Sequence, residues 1–168
     1  MHVRRDGTRL MLDFPARPAT PVSSDTQVCD ALGVPHDTPM LRARDLLVVL
    51  DNARQVTRLT PDFAALATMD YFAVCVTAPG DDCDFVSRFF APRQGINEDP
   101  VTGSAHCSLV PYWQERLQRD TLVARQLSAR GGQLYCHRAR DRVIIGGDAH
   151  CYLQGEIFLP DSLFTETP

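Results

Sequence analysis

The chain has 168 residues, 44% of them hydrophobic, with a formal net charge of -4 at pH 7. That suffices for one domain with a sizeable core, and the sequence carries neither the basic stripe of a nucleic-acid binder nor a run of roughly 20 apolar residues that would span a membrane. All 17 basic residues are arginine, which excludes Schiff-base chemistry, pyridoxal phosphate anchoring and a P-loop lysine; catalysis must rest on carboxylates, histidine, hydroxyls, thiols or backbone dipoles.

The opening MHVRRDGTRLMLDF lacks the apolar stretch of a signal peptide, so a cytoplasmic protein is expected. The six cysteines form no C-x-x-C pair and read as reduced thiols. Residues 1–14 alternate and predict a strand, and 15–21, with three prolines, read as a linker. Ser24 and Gln27 have the spacing of a capping box, opening a short helix that Gly33 closes. Residues 45–50 are a compact apolar run and predict a buried strand. Thr60 as N-cap, followed by Pro61 at the first helical position, predicts a second helix over 61–68.

Residues 71–77 and 84–91 read as strands joined by the turn-rich APGDDC. A helix is predicted over 104–117, with Ala105, Leu109, Trp113 and Leu117 forming an apolar stripe and Pro111 bending it. The last third predicts strands at 133–137 and 142–146 about an Ala-Arg-Asp turn, and a further strand over 150–159. The fold class is α+β, mostly antiparallel, with one central bent helix.

The segment GINEDPVTGSAHC, residues 95–107, is where chemistry concentrates. Pro100 keeps Asp99 out of the helical region, extended ahead of the turn. Gly103 allows a tight backbone approach, and the N–H groups of Ser104, Ala105 and His106 at a helix start favour an anion. A substrate carboxylate can be held there while Asp99 handles a proton. The same residues also suit an ordinary turn, with Ser104 as a cap and not a nucleophile. The neighbours His106-Cys107, Cys136-His137 and His150-Cys151 raise the question of zinc, but adjacent strand residues point to opposite faces, so no metal is expected. Cys107 reads as a small buried thiol, and His2 and His36 read as exposed.

The stretch DFVSRFFAPRQGINEDPVTGSAHCSLVPYW, residues 84–113, resembles the signature of the PhzF-like family of phenazine-biosynthesis-like isomerases, related in fold to diaminopimelate epimerase. DFPA at Asp13, DLLVVLDNARQVTRLTPDFAAL from Asp45, QLSARGG from Gln126 and the following RVIIGGDA extend the resemblance over nearly the whole chain. It implies two similar domains, each a highly curved antiparallel sheet around a central helix, with the active site in the cleft between them. This chain resembles the second half. Residues 1–14 correspond to the end of the first domain, 15–21 to the linker and 22–150 to the C-terminal domain, and 151–168 form a terminal strand and tail that packs against the missing half.

The resemblance also implies proton transfer within a small carboxylate-bearing metabolite without metal or organic cofactor. On the motif match Asp99 handles the proton or hydrogen-bonds the substrate, Ser104 and the backbone of Gly103 and Ala105 hold it, and Arg88 and Glu98 support the arrangement. The family's first-half motif, a glutamate followed by a Cys-Gly-His-x-Thr-like turn that supplies the general base, has no counterpart in these residues. Such a base contributes typically about a hundred to ten thousandfold. The expectation is therefore an isomerase that is weak or inactive as this chain alone, with a homodimer or a partner domain covering the exposed face.

Two other readings stand beside it. One is a non-catalytic small-ligand-binding or protein-interaction module using the face where the first domain would sit. The other is a compact hydrolase using Ser104 or Cys107 with His106 as base, which is disfavoured because residues one or two apart on a helix do not face each other.

Overall fold

The computed structural model describes residues 2–158. Its strands in chain order are β1 His2–Asp6, β2 Arg9–Pro15, β3 Thr20–Val22, β4 Met40–Arg42, β5 Leu46–Val49, β6 Val74–Pro79, β7 Phe85–Phe90, β8 Thr121–Gln126, β9 Gly132–Ala139 and β10 Arg142–Asp148. The helices are α1 Thr26–Leu32, α2 Ala53–Arg58, α3 Phe63–Thr68 and α4 Gly103–Leu117. All ten strands join one sheet in the order β1-β2-β10-β9-β8-β7-β6-β5-β4-β3. Neighbours run antiparallel except β5 with β6 and β7 with β8, so the α+β, mostly antiparallel class holds. Among the described residues no helix is long and apolar enough to cross a membrane.

The middle of the sheet is buried on both faces. Along β5, β6 and β7 the side chains alternate: Leu46, Val48, Val74, Val76, Val86 and Phe90 pack on the side of α1, α2 and α3, while Leu47, Cys75, Phe85 and Phe89 pack on the side of α4. A strand covered on both sides reads as a near-continuous apolar run, which is why these segments stand out in the sequence. Each large apolar side chain so buried contributes about 1.5–3 kcal/mol.

Helix α4 buries its predicted stripe. Trp113 stacks on Phe85 with ring centroids 5.7 Å apart and donates its indole N–H to Thr77 Oγ1 at 2.9 Å. Pro111 lies inside the helix without ending it. Lacking an N–H, it leaves the carbonyl four residues earlier, that of Cys107, without a helical donor. The backbone N–H of Arg17 donates to that carbonyl at 2.8 Å, and Ala16 N–H donates to Asp141 O at 2.7 Å. The segment read as a linker is thus tied to α4 at the proline gap before it enters β3.

Several expectations are corrected. Where one strand is expected over 1–14, the described residues from His2 on form a hairpin of β1 and β2. The chain reverses at Gly7 with φ +59, a backbone geometry that glycine adopts without Cβ strain. The cap of α1 is Asp25, whose carboxylate accepts from the N–H groups of Gln27 and Val28, while Ser24 Oγ donates to Thr38 O. Gly33 closes α1 in the left-handed conformation, as expected. Helix α3 starts at Phe63, because Asp62 accepts from Ala65 N–H and its own N–H is committed to Ala31 O. The short elements α2, β3, β4 and β8 have no counterpart in the sequence reading. Residues 149–158 form no strand: among the described residues β10 is already paired with β2 and β9. Leu159, the last residue of the strand expected there, lies outside the described residues.

Candidate active site

The loop from Glu98 to Thr102 lies between β7 and α4, and every one of its residues is anchored. Glu98 receives a two-pronged ion pair from Arg88 on β7, with Nε to Oε1 at 2.7 Å and Nη2 to Oε2 at 2.9 Å. The remaining arm of Arg88 donates to Leu59 O at 2.8 Å and to Val56 O at 3.3 Å, satisfying carbonyls at the C-terminal end of α2. Arg88 and Glu98 therefore spend their charge on each other. They fasten the loop to α2, an arrangement in which geometry and hydrogen bonding offset the cost of part-burying both ions.

Asp99 donates its backbone N–H to Phe89 O at 2.9 Å. Pro100 O accepts from Ser128 Oγ at 2.8 Å, and Val101 packs where a Cβ on Gly132 would come within 2.4 Å of it. The turn between β8 and β9 is thus the cradle of the loop. Its glycine is required by close approach, since any side chain at Gly132 would collide with Val101.

Thr102 is the N-cap of α4, yet among the described residues no side chain caps that helix. The Thr102 hydroxyl donates instead to Asp99 Oδ2. The first-turn N–H groups of α4 are left open beside Asp99, with the positive end of the helix dipole behind them. A Cβ built on Gly103 meets nothing within 4 Å, so the space above this turn is free for a ligand. Ser104 presents its hydroxyl on the same turn and accepts from Arg44 Nη2 at 3.0 Å. Arg44 is itself held by Asp45, with Nε to Oδ1 at 2.9 Å and Nη2 to Oδ2 at 3.0 Å, and lies 4.5 Å from the Phe72 ring centre. Ala105 turns its methyl into the core, so only its backbone can serve a ligand.

His106 and Cys107 face away from this site. His106 is fully buried, 5.9 Å from the Phe85 ring, and its burial pulls its pKa down to about 4, against the raising effect of Thr102 O. Its Nδ1 lies 2.8 Å from that carbonyl; a carbonyl only accepts, so the proton sits on Nδ1 and Nε2 is a bare acceptor. Burial pushes the Cys107 thiol up, which leaves it protonated at neutral pH. The Ser/Cys-His hydrolase arrangement is not formed. Among the described residues no three His, Cys, Asp or Glu side chains gather as a metal-binding group.

The structure therefore brings Asp99, Gly103, Ser104 and the Ala105 backbone to one turn and sets Arg88 with Glu98 behind it. Sequence reasoning missed Arg44, Thr102 and the side chain of Gln126. Only Thr102 carried a signal, as a member of the quoted segment 95–107.

The site is thus a helix start without a side-chain cap beside a fixed carboxylate, on a mixed sheet with helices on both faces. The chain belongs to the phenazine biosynthesis-like protein family, whose model matches residues 20–155. An uncharacterized isomerase of Pseudomonas aeruginosa is 48% identical over 159 residues, 95% of this chain and 61% of that protein. An uncharacterized isomerase of Halalkalibacterium halodurans is 38% identical, covering 91% of this chain and 59% of that protein. The crystal structure of a PhzF-family phenazine biosynthesis protein from Enterococcus faecalis matches with a TM-score of 0.85 and 44% identity over 94% of this chain and 60% of that one. A Bacillus anthracis PhzF-family structure shares the fold at a TM-score of 0.68 with 14% identity. The chain thus spans about three fifths of the length of these four relatives.

Proposed function

We propose that this chain supplies one wall of the active site of a cofactor-independent isomerase that moves a proton within a small carboxylate-bearing metabolite. The observation that carries this reading is the Asp99 carboxylate fixed beside the open first turn of α4. A substrate carboxylate accepts from the N–H groups of Gly103, Ser104 and Ala105 and from the Ser104 hydroxyl, while Asp99 holds or passes the proton. Arg88 and Glu98 keep the loop in place. The name isomerase carried by the relatives supports the reaction class.

In this reading the sheet curves about α4 as its central helix, in the manner of diaminopimelate epimerase. The general base then comes from the part of the relatives that this chain does not span, with the catalytic cleft between the two parts, in a cytoplasmic protein. The test is incorporation of deuterium from heavy water into a panel of small carboxylates by a protein that joins this chain to the part of the relatives it does not span, read by mass spectrometry. Asp99→Asn is expected to lower any incorporation by about a hundredfold or more. Equal rates in wild type and variant would refute the assignment of Asp99.

A second reading is favoured by one observation: Tyr152, Leu153, Ile157 and Phe158 are at least 83% exposed. Four large apolar side chains within seven residues suit contact with another domain or a second copy. No incorporation in the panel, together with amide shifts at 103–105 when malate is added, would favour a binding module over an enzyme.

A further inference from the structure

We propose that Gln126 is a positioning residue, whose carboxamide acts through Thr102 to set the direction of the Asp99 carboxylate and to keep the first turn of α4 uncapped. Gln126 ends β8 and is 1% exposed. Its Oε1 accepts from Thr102 N–H at 2.8 Å, and its Nε2 donates to Asp99 O at 2.7 Å and to Thr102 Oγ1 at 3.1 Å. A backbone N–H can only donate, so Oε1 must face it and Nε2 must face the two oxygens. Both amide protons and one lone pair of the carboxamide are spent on Asp99 and Thr102.

The consequence runs through the threonine hydroxyl. That oxygen already accepts from Gln126, so its single proton is free to go elsewhere, and it goes to Asp99 Oδ2. A threonine at an N-cap ordinarily turns its oxygen toward the N–H groups of the first turn. Here the pull of Gln126 on one side and of Asp99 on the other prevents that turn. Ser128 and Gly132 already hold Pro100 and Val101, so the backbone of the loop has other anchors. Among the described residues the link from Gln126 through Thr102 is the hydrogen-bonded path that reaches the Asp99 carboxylate itself.

The inference rests on the proton-transfer reading only for what the oriented carboxylate does. Its test is the side-chain carboxyl carbon resonance of Asp99 in the full chain labelled with carbon-13 aspartate, at fixed neutral pH, together with hydrogen exchange at the Thr102 amide. Gln126→Leu should move the Asp99 resonance and speed Thr102 amide exchange by about tenfold or more. Thr102→Val should move the same resonance, and Thr102→Ser, which restores the hydroxyl, should return it to the wild-type position. An unmoved resonance in folded Gln126→Leu overturns the proposal, and so does Thr102→Ser behaving as Thr102→Val. Should Gln126→Leu not fold, Gln126→Met, which fills similar space without a hydrogen-bonding group, takes its place in the same measurement. The resonance needs no turnover, so absence of deuterium incorporation by a protein that also carries the part supplying the base would sink the isomerase reading and leave this test standing.

Discussion

At the scale of single residues, burial decides what each group can do. His106 sits in the signature segment and reads as chemical, yet its pKa of about 4 against an ordinary 6.5 makes it a stability group. Between those values the unfolded chain binds the proton and the folded chain does not. Stability is therefore full above pH 6.5 and declines as pH falls toward 4, by up to about 3 kcal/mol. Thermal unfolding across that range should show the decline, and His106→Gln should flatten it. Gly103 makes the opposite case. Nothing fills the space of its absent side chain, so Gly103→Ala should leave the melting temperature unchanged or raise it slightly, because alanine favours helix by up to about 1 kcal/mol. The same substitution should weaken malate binding at the first turn of α4, as followed by amide shifts at 104 and 105.

At the scale of elements, α2, α4 and the loop from 98 to 102 depend on side chains from elsewhere. Arg88 is 12% exposed and Glu98 20% in their side chains, and the guanidinium also caps α2. Arg88→Met should destabilise the fold by about 3 kcal/mol, since it strands a part-buried carboxylate. Arg88→Met with Glu98→Gln should recover part of that loss, which denaturant titration of the three variants can read. The same dependence explains what the sequence made legible. Doubly buried strands such as β5 and β6 follow from their unbroken apolar runs and the stripe of α4 from apolar periodicity, and the Asp99 to Ala105 turn follows from its motif. Helix α2, of six residues, and β4, of three, are held by packing and by partners remote in sequence, and no periodicity marks so short a stretch. Arg44 and Gln126 meet the site only through contacts 60 and 24 residues away, a spacing invisible without the fold.

At the scale of the molecule, β1 and β3 are the two ends of the ten-stranded sheet, and the apolar side chains that follow β10 are exposed among the described residues. Replacing Tyr152, Leu153, Ile157 and Phe158 by serine should leave the melting temperature of this chain unchanged, because these side chains are almost wholly exposed. Any concentration-dependent self-association should fall in the same variant, measured by sedimentation; a lower melting temperature would mean that the stretch already packs within the monomer. The donation from Arg17 to the carbonyl of Cys107 carries a different lesson, one about where the chain can be cut. Surface stretches between elements commonly tolerate nicking and insertion, and residues 16–19 look like such a place. Cleavage there would detach the donor that completes α4 across its proline. A domain edge drawn at residue 20, where the family match begins, would leave out the residue whose N–H completes the helix beneath the Gly103 turn.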